Sequence, residues 1–86
     1  MIKISFAPEF FRQLKKLDFG LQNEAFEKID LFKDRTNHKV LKVHKLKGKL
    51  RDKYSFSVNY KYRIVFIYFG KDQAYLEVIG SHDIYK

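Results

Sequence analysis

A chain of 86 residues has room for one hydrophobic core, so residues 1–86 are read as a single domain. Its 45% apolar share, with nine Phe and six Tyr, excludes a disordered chain, and the lack of cysteine excludes disulfide staples, thiolate nucleophiles and cysteine zinc sites. Eighteen Lys and Arg against ten Asp and Glu give a net charge of +8. With no apolar run near the roughly 20 residues that span a bilayer, and no signal-peptide core, the expectation is a cytoplasmic protein without a membrane partner.

From the N-terminus, Ile2, Ile4 and Phe6 alternate with Lys3 and Ser5, the period of a half-buried strand over residues 1–6. Pro8 suits the first turn of a helix, and Phe10, Leu14 and Leu17 recur at helical spacing up to an expected end near Gly20. From Leu21, the apolar positions Ala25, Phe26 and Ile29 predict a second helix that stops around Arg35 to Asn37. So short a connection predicts an antiparallel helical hairpin. His38 to Lys53 follows no clear period and reads as loop, with room for one short turn or strand.

Tyr54, Phe56 and Val58 alternate with Ser55, Ser57 and Asn59, which predicts a second strand, and Asn59-Tyr60-Lys61 predicts a tight turn. Tyr60 and Tyr62 are read as turn and strand packing. Arg63 to Phe69 is almost wholly apolar, as in a central strand. Gly70-Lys71-Asp72 supplies a hairpin turn and Ala74 to Ile79 the last strand, before a short polar tail. The order gives an α+β domain: an N-terminal strand, an antiparallel two-helix hairpin, then a three-strand antiparallel meander forming one sheet.

The charge is concentrated. Between Arg35 and Arg63 lie ten Lys and Arg and one acid, Asp52, whereas the other 57 residues hold eight basic and nine acidic side chains. So local an excess marks a surface for a polyanion, either a nucleic acid or an acidic protein. Lys45, Lys47, Lys49, Arg51 and Lys53 fall at every second position, so an extended chain would set them on one side, suited to a phosphate backbone. A solvated loop is the competing reading of any single one. His38, His44 and His82 show no metal-ligand spacing, and neither a metal nor a cofactor is expected.

The run His44-Lys45-Leu46-Lys47-Gly48-Lys49-Leu50, then Tyr54 to Val58, then Tyr62-Arg63-Ile64-Val65-Phe66, and finally Gly80-Ser81-His82-Asp83-Ile84-Tyr85 resembles the RelE/ParE toxin superfamily over nearly the whole chain. The resemblance is strongest to the RelE-type mRNA interferases and the branch that includes the YafQ toxins. It implies the toxin of a type II toxin–antitoxin module, bound by a small acidic antitoxin. On this reading the activity is endonucleolytic cleavage of mRNA on the ribosome, without a metal. The alternative within the superfamily is a ParE-type inhibitor of DNA gyrase.

The resemblance also implies roles. His82 and Tyr85 take the places of a histidine and an aromatic residue that take part in RNA cleavage, and Arg63 that of the arginine beside the scissile phosphate. Ser57 and the Tyr60–Arg63 segment stand where the YafQ branch carries further His and Asp, so the general base is not assigned. His44, just before the densest lysine run, is either a second proton-transfer group or a solvated loop histidine. Tyr85 either meets a nucleobase or packs the tail onto the sheet.

Overall fold

The computed structural model describes residues 1–81. Strand β1 (Lys3–Phe6) leads into helix α1 (Pro8–Lys15), with Pro8 at the first helical position, where its missing N–H costs no hydrogen bond. Helix α2 (Phe19–Phe32) follows. It begins earlier than the Leu21 expected, because Asp18 caps it: the carboxylate accepts from the backbone N–H of Leu21 at 2.8 Å. The break between the helices is therefore set by this cap, and Gly20 lies inside the first turn of α2.

The end of α2 comes at Phe32 and not around Arg35 to Asn37. The Asp34 carboxylate takes both the N–H and the hydroxyl of Thr36, at 2.9 and 2.8 Å, and starts a separate 3-10 turn over Arg35–Asn37.

The unassigned stretch contains a two-residue strand, β2 (His44–Lys45), and a 3-10 turn at Gly48–Leu50. Three longer strands follow, β3 (Tyr54–Ser57), β4 (Tyr62–Tyr68) and β5 (Gln73–Ser81). Together they form one five-stranded sheet in the order β1-β5-β4-β3-β2. The meander β3-β4-β5 is antiparallel as expected, while β1 pairs with β5 in parallel, Lys3 opposite Gln73.

Both helices cover one face of the sheet. Phe10 and Leu14 of α1 and Ala25, Ile29 and Phe32 of α2 join Phe56, Ile64, Phe66, Leu76 and Ile79 in a single core. At its centre Phe32 stacks on Phe56 (centroids 4.6 Å apart) and meets Phe66 edge-on (4.8 Å). His38 stacks on the other side of Phe32 at 4.7 Å, its Nε2 lying 2.7 Å from the Phe32 carbonyl.

Strand β5 carries a bulge: Val78 pairs with Val65 and Leu76 with Phe66, so Glu77 is an extra residue. A bulge interrupts the ladder, and the side chain of Gln13 on α1 takes up the Ile79 N–H at 2.8 Å. This bond ties the helical layer to the sheet where the ladder is weakest.

Candidate functional site

Cross-strand partners in an antiparallel sheet point to the same face. One rung runs His44–Ser55–Val65–Val78 and the next Ser57–Arg63–Gly80. Because Phe56, Ile64 and Phe66 point to the helices, these two rungs belong to the opposite, helix-free face. Strands about 4.8 Å apart, with a rise of about 3.3 Å per residue, put the His44 and Arg63 α-carbons about 12 Å apart on that face. Two long side chains can close on a group held between them.

Arg63 is oriented by its own hairpin. Its Nη1 donates to the carbonyls of Asn59 (2.6 Å), Tyr60 (3.0 Å) and Tyr62 (3.2 Å). Asn59 in turn shapes the turn, its Oδ1 accepting from the N–H groups of Lys61 and Tyr62 at 2.9 and 2.8 Å. Nε and Nη2 of Arg63 have no partner among the described residues, which leaves one donor edge of a positioned cation for an anion.

His44 is exposed on β2, and its Nδ1 lies 2.8 Å from the Lys42 carbonyl. A carbonyl only accepts, so Nδ1 carries the hydrogen, and in the neutral ring Nε2 bears the free lone pair. Lys42 holds the left-handed conformation, φ 58°, that turns this carbonyl toward the ring.

The lysine run does not extend along one side as its spacing predicts. Gly48 takes a left-handed φ of 71° and opens the 3-10 turn; Arg51 then donates its N–H to the Gly48 carbonyl and Lys53 to that of Leu50, at 3.2 and 2.8 Å. Leu46 is buried, which pins the segment to the sheet. Lys45, Lys47, Lys49 and Arg51 are exposed around the bend, whereas the ammonium of Lys53 is paired with the Glu77 carboxylate. The run is thus a curved basic rim with one neutralised member.

Protein-family models and curated proteins show no match to the sequence. Solved structures do. The chain is similar to the YoeB–YefM toxin–antitoxin complex of Staphylococcus aureus (TM-score 0.72, 21% identity, covering 95% of this chain and 98% of that one). It is similar to the E. coli DinJ–YafQ complex (0.72, 16%, 98% and 97%), and to the archaeal RelE–RelB complex of Pyrococcus horikoshii (0.72, 14%, 93% and 93%). The chain has the RelE/ParE toxin fold.

On the RelE/ParE fold the structure brings Arg63 and His44 onto one face, whereas Lys45, opposite Tyr54 in the rung of Phe66, belongs to the other. His82 and Tyr85 lie outside the described residues; the last described residue, Ser81, pairs with Tyr62, one position from Arg63. Tyr62 packs against the core as expected. Tyr60 does not pack: it is 95% exposed at the tip of the β3–β4 turn. The reason is that Asn59 and Arg63 satisfy the turn's backbone groups, so its second residue has nothing to hold. The Lys53–Glu77 pair was not foreseen either, and no local pattern signals a contact between residues 24 positions apart. Among the described residues no cluster of three or more His, Asp and Glu is placed to hold a metal ion.

Proposed function

We propose that the chain is the toxin of a type II toxin–antitoxin module and acts as a ribosome-dependent mRNA endonuclease. The observation that carries this reading is the helix-free sheet face on which Arg63 offers a donor edge without a partner among the described residues and His44 a free ring nitrogen, with exposed cations on the neighbouring loop. In the proposed reaction the ribose 2′-oxygen attacks the adjacent phosphorus and gives up its proton. The bond from phosphorus to the 5′-oxygen breaks, and that oxygen takes a proton. Arg63 meets the charge that builds on the phosphoryl oxygens. His44 and His82 exchange the protons, an imidazole being able both to give and to take one, and Tyr85 stacks on a base or donates its phenolic proton. Lys45, Lys47, Lys49 and Arg51 hold the RNA backbone, with Lys53 acting from its ion pair.

The partner of this reading is a small acidic antitoxin. The solved relatives are complexes with YefM, DinJ and RelB. In this chain the helices expose Phe11, Phe19 and Phe26, and a groove of about 710 Å³ lined by Ile4, Phe6, Phe26 and Ile29 runs between β1 and α2. An amphipathic acidic segment would cover apolar surface there and offset the charge of the rim.

Primer extension on a translated message after induction of the wild type and of His82→Ala tests the reading. Cuts present with the wild type and lost with the variant are expected. Growth arrest with no cuts in either strain would sink it and favour a gyrase-type target.

A further inference from the structure

Tyr60 exposes 95% of its surface and Val40, beside it, 80%. A single exposed apolar side chain needs no explanation; this pair does, because of what surrounds it. Both line an open cavity of about 420 Å³ at the end of the sheet, together with Lys28 of α2, Lys42, Asn59 and Arg63. The volume falls in the range of about 300–1,000 Å³ typical of small-ligand clefts. The lining carries three cations and one acid, Glu24, whose carboxylate already accepts from the Asn59 amide at 2.9 Å. Arg63 is bonded to the Tyr60 carbonyl, so the guanidinium is tied to the backbone that carries the ring.

We propose that Tyr60 is the stacking platform of a nucleotide subsite: the base next to the scissile phosphate lies on its ring, against Val40, while Lys42 and Lys28 meet the flanking phosphate. The inference rests on the endonuclease reading above and adds to it a specificity element outside the proton-transfer residues. Alternation of a free aromatic face with a phosphate-binding cation is the pattern single-stranded RNA requires, whereas an acidic peptide would have no use for an unburied ring.

The test is the affinity of the full chain for a short single-stranded RNA made uncleavable by 2′-O-methylation and labelled with aminopurine. Tyr60→Ala is expected to weaken binding roughly 5- to 150-fold and to abolish quenching of the stacked base. Tyr60→Phe should bind like the wild type and Tyr60→Leu like the alanine variant, all with unchanged melting temperature, since the ring touches nothing. Wild-type affinity in Tyr60→Ala or Tyr60→Leu overturns the subsite while leaving the nuclease reading in place if those variants still cut RNA. Loss of antitoxin binding with unaltered RNA binding also overturns it, in favour of a protein contact. A wild-type chain that binds no such RNA overturns the subsite, while the nuclease reading is decided by the primer extension on translated message.

Discussion

Lys53 and Glu77 hold one another across the helix-free face of the sheet, the ammonium from the residue before β3 against a carboxylate from β5, with β4 between them. Glu77 follows the core residue Leu76 and so faces this side, and the bulge after it brings Ile79 back to the core. A cation already paired contributes less to an anionic ligand than a free one. Lys47→Ala should therefore weaken RNA binding more than Lys53→Ala, and Glu77→Gln should strengthen it. Titrations at several salt concentrations check both, and equal losses for the two lysine variants would contradict the pairing. A double-mutant cycle on thermal stability should return a coupling of about 0.5–1 kcal/mol, the magnitude of a partly exposed pair, falling as salt is added.

Arg63 uses one nitrogen for its hairpin and keeps another edge for a ligand. An ammonium cannot do both in a fixed geometry. Arg63→Lys is expected to lose about 10²-fold in cleavage rate, close to the loss in Arg63→Ala, although its charge is kept. Full activity in Arg63→Lys would show that only the charge matters.

Gln13 is the partner of the Ile79 N–H left over by the bulge. Gln13→Ala leaves that donor without its bond, at a cost of about 1–3 kcal/mol. For a domain of this size that lowers the melting temperature by roughly 4–8 °C per kcal/mol. Calorimetry reads the change; Gln13→Glu, which keeps an acceptor, should recover most of it.

Asp34 has its carboxyl held below the ordinary 3.8, first by the Thr36 N–H and then by the Thr36 hydroxyl. A lowered folded-state value means stability that is present above the unfolded value and lost as pH falls through the folded one. The wild type should therefore melt above Asp34→Asn at neutral pH, with the gap closing under acid. A gap unchanged at about pH 2 would show that ionisation is not its source.

Local pattern made most elements legible. The period-two runs at Tyr54–Val58 and the helical stripe of Phe10 and Leu14 match the buried faces of β3 and α1. What escaped depends on side chains that compete for backbone groups. Asp18 and Asp34 moved the ends of α2 by taking N–H groups, and a polar residue at those positions reads equally well as exposed helix surface. The lysine run misled in the other direction: its regular spacing predicts extension, and one left-handed glycine, Gly48, turned it. For the site, Arg63 was named from the resemblance, but its orientation depends on Asn59 and three turn carbonyls, which is a matter of three-dimensional closure. The exposure of Tyr60 is likewise invisible in a sequence where aromatic residues mostly fill the core.

Among the described residues the first strand pairs with the last alone. Lys3 pairs with Gln73, so during synthesis β1 must wait for some 70 further residues. At about 5–20 residues per second that is a delay of roughly 4–14 s. Over that interval the apolar side of β1 and the helices behind it lack their cover. A nascent chain shorter than this also lacks the rung that joins Arg63 to Gly80, so the assembled face arises only once Gly80 has been made, and a partner binding β1 or α2 would have its opportunity before that face exists.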